Sequence, residues 1–284
     1  MGGAARRAPL KERRLRLSVG MRAGSGVRTL LVGACLLVAG AALLAFPTLS
    51  HHVTANAQAK EGEDYAYRAN QVSEARFEAA VAHNEAGSVQ DALELLKLPG
   101  VEPIARLRAA SIGLDLPVYA TSSDVHLLRG AGYLGGSSAP VGGVGTHSVI
   151  TAHSGMPTKR MFDRLPKLEV GDTILVDVLG RTLAYQVAGS QVLPAEAGTE
   201  HLRPTEGADQ LTLVTCTPYG VNTHRLLVTA TRTEAVPALP APAEAGGSWL
   251  PWAVVALAMG LAMPLTGLAV RAHQKRSRKG KPRK

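Results

Sequence analysis

Three residues in this 284-residue chain are of the right types to carry out acyl transfer together: Cys216, His153 and Arg225. A thiolate is a strong nucleophile, and a nearby imidazole or guanidinium favours it. An imidazole can protonate a leaving amine and later deprotonate an incoming one. A guanidinium can hold the oxyanion of a tetrahedral intermediate. The chemistry such a set supports is acyl transfer through a thioester. Each residue also has a plain structural use. Cys216 could be a small buried apolar residue, His153 a turn residue, and Arg225 the partner of a surface acid.

The setting of the three favours a site. Cys216 closes an alternating run (Leu211, Leu213 against Thr212, Val214) and meets Thr217-Pro218-Tyr219-Gly220. Proline stops a strand, so the thiol is expected at a strand end facing a loop. Eight residues separate Cys216 from Arg225, which opens the run RLLVTAT. If these two strands pair antiparallel, Cys216 and Arg225 meet at one edge. His153 ends the run VITAH just before a Ser154-Gly155 turn. Strand ends are where a rigid scaffold presents functional side chains. Thr215, Thr217 and Asn222 are candidates for lining a substrate groove, although threonine is a common strand residue and Asn222 also suits an Asx turn. His224 should face away from Arg225, because neighbours on a strand point to opposite sides.

The elements that must position these residues are mostly β. From Val101 onward, short β-type runs alternate with Gly and Pro turns, and the stretches 173–179 and 182–193 around Gly180-Arg181 read as a hairpin. Strands at this spacing imply a closed barrel or a sandwich over residues 101–234. MFDRLPKL (161–168) reads as a short helix. Residues 64–97 lack proline, are rich in Ala, Glu and Leu, and read as one or two helices broken near Gly87. Residues 50–60 read as a short polar connector within a 50–100 segment.

Charge and hydropathy place this domain. The chain has 31 Lys+Arg against 22 Asp+Glu, yet eight of the basic residues lie in 1–28 and eight in 271–284. The stretch between is acidic, which excludes a basic nucleic-acid-binding domain. Next to each basic tail lies an uncharged apolar run, 29–49 and 249–270, each about the 20 residues a helix needs to cross a bilayer. The positive-inside rule then puts both termini in the cytoplasm and residues 50–248 outside. Ala55-Asn56-Ala57 resembles a signal-peptide cleavage site, but the apolar run before it is long for a signal peptide, which favours an uncleaved anchor. Residues 235–248 (AVPALPAPAEAGGS) read as an extended linker. Two cysteines exclude a disulfide framework, and no metal or cofactor site is visible. Cys35 falls inside the first apolar run and Cys216 outside it, so the two should not pair.

Three stretches resemble the sortases, and the class C (pilin-polymerising) sortases most closely. Leu213 to Val228 (LVTCTPYGVNTHRLLV) resembles the family's cysteine-to-arginine signature, residues 139–157 (APVGGVGTHSVITAHSGMP) its histidine segment, and residues 161–187 the stretch between. The resemblance covers about residues 100–234. It implies a closed eight-stranded sortase-type β-barrel with short helices, preceded by a helical segment and flanked by two transmembrane helices. It further implies Cys216 as nucleophile, His153 as acid/base, and Arg225 as oxyanion and substrate clamp. The implied partners are a surface or pilin protein carrying an LPXTG-like signal and an amine acceptor, either a pilin lysine or a cell-wall peptide.

The chain departs from class C in two places. Class C enzymes usually place an Asp-Pro-aromatic lid motif over the cysteine, whereas no proline lies between Pro47 and Pro99, and Asp64 and Asp91 precede Tyr65 and Ala92. Either the lid is absent or the 64–97 segment covers the groove another way. Ser154 also stands where a larger, often basic, residue is expected. The departures leave wall anchoring as an alternative to pilus assembly, and a non-catalytic tethered barrel as a third reading. An L,D-transpeptidase would want a histidine two residues before the cysteine, where this chain has Val214.

Overall fold

The computed structural model describes residues 22–197 and 199–234. The second apolar run, the linker, the C-terminal tail and most of the N-terminal tail lie outside them. Three helices come first: α1 (Arg22–Ala69), α2 (Glu74–Glu85) and α3 (Val89–Leu96). Then follow β1 (Pro103–Ala109), β2 (Leu114–Tyr119), the single turn α4 (Asp124–Leu127), β3 (Ala131–Tyr133), β4 (Thr146–Thr151), β5 (Thr173–Val178), β6 (Arg181–Pro194), β7 (Asp209–Thr217) and β8 (His224–Thr233). The eight strands close into a barrel in the order β1-β2-β3-β4-β7-β8-β6-β5. The β2–β3 and β4–β7 pairs are parallel and the others antiparallel. Closure removes the free edges that an open sheet would expose.

Among the described residues, one helix is long and apolar enough to cross a membrane, and a second span is not seen there. Its apolar side chains are bare: Leu43 and Leu44 are 74% and 78% exposed. One expectation is corrected here. Residues 50–60 are not a connector but continue the same helix to Ala69. No proline or glycine interrupts residues 48–61, so nothing in that polar stretch stops a helix. The first break comes at 70–73, and the second, around Gly87, falls where the sequence places it. The expected helix at 161–168 shrinks to a 3₁₀ turn at Leu165–Lys167, with Pro166 inside it.

Beyond Ser50, α1 is held to the barrel at several points. Tyr65 is fully buried and its hydroxyl accepts the Leu179 N–H at 3.2 Å. Gln58 donates to the Arg129 carbonyl at 2.9 Å, and Glu61 pairs with Arg129. Gly62 sits so close to Arg106 that a Cβ there would lie 3.0 Å from its side chain. Arg106 in turn grips Asp115 with two hydrogen bonds of 2.8 and 2.6 Å. The helix α3 buries Leu93 and Leu96 in the same core, each worth about 1.5–3 kcal/mol.

The helix α2 has one buried polar anchor. Asn84 is 3% exposed, donates to the carbonyls of Ala139 and Gly142 at 3.1 and 2.9 Å, and accepts the Ala139 N–H at 2.8 Å. Next to it, Glu85 accepts the Val144 N–H at 2.7 Å. These contacts fall on the loop that leads into β4, whereas His153 lies just past the other end of that strand. The helical segment is thus tied to the barrel end opposite His153, and these bonds do not lay it over the cysteine.

Candidate active site

The strand pairing builds the site in one step. In the antiparallel β7–β8 ladder Cys216 stands directly opposite Arg225. In the parallel β4–β7 ladder Thr151 stands beside Val214, and the Ala152 N–H still reaches the Val214 carbonyl at 3.3 Å. Carrying that register on by two residues sets His153 level with Cys216. The three candidates form one row across three adjacent strands, which lie about 4.8 Å apart.

Strand parity tells which side of the barrel the row occupies. Ile150 and Ala152 of the β4 segment, Leu211 and Leu213 of β7, and Leu226, Val228 and Ala230 of β8 are buried in the barrel core. Alternate residues point the other way. His153, Cys216 and Arg225 therefore face outward, together with Thr151, Val214 and Leu227. All three are part-exposed. The opposite end of this outer face is covered: Val149 and Thr212 are fully buried and His147 is 2% exposed. The outer face is thus covered at the His147 end and part-exposed along the row that holds the thiol.

Local hydrogen bonds hold each part of the row. The Arg225 guanidinium donates to the carbonyls of Asn222 and His224 at 3.1 and 3.0 Å. Asn222 adopts a left-handed backbone (φ 61°), and its N–H donates to Pro218 O at 3.0 Å, which closes the turn between β7 and β8. The Thr217–Pro218 peptide is cis. On the histidine side, Phe162 N–H donates to His153 O at 3.0 Å. Asp163 accepts the N–H groups of Gly155 and Met161 at 3.0 and 2.9 Å, which ties the loop after His153 into a closed turn. Gly155 needs its left-handed φ of 82°, and a Cβ there would come within 3.3 Å of the Gly220 nitrogen. The loops after His153 and after Cys216 are thus packed against each other.

The other candidates fall in different places. Thr215 is 2% exposed, points inward, and donates its hydroxyl to Ala152 O at 2.8 Å. It braces β7 against the end of β4 and does not face the side that carries Cys216. Thr217 pairs with His224 at the end of the ladder, one step past Cys216 and on the opposite face. Asn222 is exposed, and its carbonyl holds Arg225. His224 faces away from Arg225, with Nδ1 2.9 Å from the Thr223 hydroxyl. His51 and Thr54 lie on α1, and Thr54 donates to Thr158 O at 3.0 Å in the loop after His153.

Two residues at the site escape a reading by residue type. Ser154 donates its hydroxyl to the backbone carbonyl of Cys216 at 2.6 Å. His147, on the same face of the same strand segment as His153, is enclosed: Nε2 lies 2.7 Å from the Thr212 hydroxyl and Nδ1 3.1 Å from Arg203 O. Burial lowers its pKa, and the bond to Arg203 opposes this in part. The even spacing between His147 and His153 is the signal that could have paired them, once the strand is assigned. Among the described residues no group of three or more His, Cys, Asp or Glu side chains is gathered to hold a metal ion.

The barrel that carries this row is similar to known proteins. The sortase-domain family model matches residues 107–233. No curated protein matches the chain. Among solved structures, the chain is similar to a lid mutant of sortase A from Corynebacterium diphtheriae, at 39% identity and a TM-score of 0.54, with 58% of this chain and 95% of that one covered. It is similar to a mutant of sortase C-1 from S. pneumoniae at 33% identity and a TM-score of 0.57, covering 64% of this chain and 100% of that one. It is also similar to sortase C1 of GBS pilus island 1 at 34% identity and a TM-score of 0.58, covering 65% and 96%. With a family-wide match over the barrel and neighbours that are mostly class C enzymes, this chain belongs to the sortase family and is a cysteine transpeptidase.

Proposed function

We propose that this chain is a membrane-anchored sortase that cleaves an LPXTG-like sorting signal of a surface or pilin protein through a Cys216 thioester. It then passes the acyl group to a pilin lysine, and so assembles pili. The observation that carries the reading is the outward-facing row in which Cys216 stands opposite Arg225, with the end of the His153 strand alongside.

The steps follow from that row. The Cys216 thiolate attacks the scissile carbonyl carbon, and the new oxyanion takes hydrogen bonds from the Arg225 guanidinium. The C–N bond breaks as His153 gives its proton to the leaving amine, and a thioester remains on Cys216. An incoming amine attacks the thioester, neutral His153 takes the amine's proton, and the S–C bond breaks to return the thiolate. Arg225 is already aimed by two backbone carbonyls, so little ordering is needed when substrate arrives. The apolar helix at 29–49 would anchor the enzyme, with residues 50–248 on the outer face of the membrane and a second anchor at 249–270.

A second reading changes only the acceptor. The segment between Pro47 and Pro99 has no Asp-Pro-aromatic motif, which favours simple wall anchoring, in which a cell-wall peptide amine resolves the thioester. The test uses the full chain in detergent with a quenched LPXTG-type peptide, read by intact mass. We expect an adduct on the parent and none on Cys216→Ala. Resolution by a pilin lysine peptide supports pilus assembly, and resolution only by a cell-wall amine supports anchoring. An adduct that persists in Cys216→Ala would sink the thioester assignment.

A further inference from the structure

The backbone ladder between β4 and β7 ends one residue short of His153, at the bond from Ala152 N–H to Val214 O. Around and beyond that bond, side-chain hydroxyls also join the two strands. Thr151 donates to Val214 O at 3.1 Å, Thr215 to Ala152 O at 2.8 Å, and Ser154 to Cys216 O at 2.6 Å. The last of these is the shortest, and it alone reaches the backbone of the nucleophile. Past Ser154 the chain leaves the sheet: Gly155 takes a left-handed φ and Asp163 gathers the loop by two backbone N–H groups. His153 thus sits between a ladder that has stopped and a loop that turns away. Across that gap the Ser154 hydroxyl reaches the Cys216 carbonyl.

We propose that Ser154 is a positioning residue: by donating its hydroxyl to the Cys216 carbonyl, it sets the separation of the His153 imidazole from the Cys216 thiol. The proposal rests on the reading of His153 and Cys216 as the acid/base and the nucleophile. It gives the serine that stands in place of a larger residue a task of its own. A serine side chain is short enough to bond a neighbouring strand's carbonyl from this position, where a long basic side chain would reach past it. A hydroxyl-to-carbonyl bond also leaves the thiol and imidazole free to exchange protons, since it uses neither.

The test measures the coupling of the two groups without any peptide substrate. The rate of Cys216 alkylation by iodoacetamide is followed in the full chain in detergent, by the mass of the peptide that contains Cys216, so that Cys35 does not contribute. The measured quantity is the factor by which His153→Ala changes that rate, as in a double-mutant cycle. We expect a factor of roughly ten in the parent, a size usual for groups in contact. In Ser154→Ala it should fall to about two or less, and Ser154→Thr, which keeps the hydroxyl, should restore it. Thr151→Val removes a like bond on the same strand pair and serves as the control, with the parent's factor expected. An unchanged factor in Ser154→Ala overturns the proposal, as does an equal fall in Thr151→Val or no restoration by Ser154→Thr. A parent factor near one is a different failure: it removes His153 as the thiol's partner, and the positioning role with it.

Discussion

Two histidines share one strand face and meet opposite fates. His147 lies under the β6–β7 connection with both ring nitrogens placed against oxygens, in a chain that runs on through Thr212 to Thr229 at 3.0 Å. His153, six residues on, is part-exposed, and its backbone carbonyl accepts the Phe162 N–H of the loop. The same division holds across the neighbouring strands. At the His147 end, Asp209 accepts from Tyr185 at 3.0 Å and from Gly143 N–H at 3.1 Å, close to Arg232. At the His153 end, the thiol is open. A buried polar group must be satisfied within the protein, and each such bond stiffens its surroundings. The sealed end therefore acts as the footing, and under the proposed function the other end carries the groups that meet substrate.

This contrast predicts that changes at the open end stop chemistry while sparing the fold, and that changes at the sealed end do the reverse. The largest effect belongs to Cys216→Ala: thioester formation should be abolished, with an unchanged melting temperature. Arg225→Lys keeps the charge but loses the fork of donors, so acylation should slow by about a hundredfold with little change in KM. If KM alone rises, Arg225 is a binding residue and the oxyanion must be held elsewhere. At the sealed end, Asn84→Ala leaves an N–H and two carbonyls at Ala139 and Gly142 without their partner. It should cost about 2–3 kcal/mol in denaturant unfolding, while acylation by the folded enzyme keeps its rate.

The smallest effect is the pH response of His147. Its folded pKa lies below 6.5, because burial disfavours the cation. The unfolded chain then binds the proton more readily than the folded one. Stability linked to this residue is full above pH 6.5 and is lost as the pH falls through the lowered folded value. His147→Gln should flatten the melting curve against pH on the acid side, by about 1 kcal/mol at most. A variant curve parallel to the parent's places the acid sensitivity in other groups.

Much of this was legible in the chain. The spacing of Cys216 and Arg225 around a proline turn sets an antiparallel pair, and the run into His153 sets a strand end. The resemblance supplied the strand count. The face of the barrel was not legible, because it depends on which alternate residues enter the core. That is why Thr215, expected at the groove, turns out to brace Ala152 from inside. Helix α1 runs through residues expected to form a connector, because that stretch is polar yet holds no helix breaker. Asn84 left no trace in the sequence, since its partners lie 55 and 58 residues away and follow no period. Ser154 stood out only as a departure from the family, and its use depends on a carbonyl 62 residues on.

The eight-rung β7–β8 pairing has a consequence for how such an enzyme can be retuned. The register that sets Cys216 opposite Arg225 is held by the strands and not by the loop that joins them. Residues inserted among 219–221 would lengthen the rim of the groove and leave the pair in place, provided Asn222 still offers its carbonyl. One residue deleted within β7 or β8 would do the opposite, because a slip of one position exchanges the two faces of a strand. The thiol or the guanidinium would then point into the core. The loop is thus an exchangeable cassette and the strands a reading frame, and new specificities are expected to arise by swapping the first within an unshifted second.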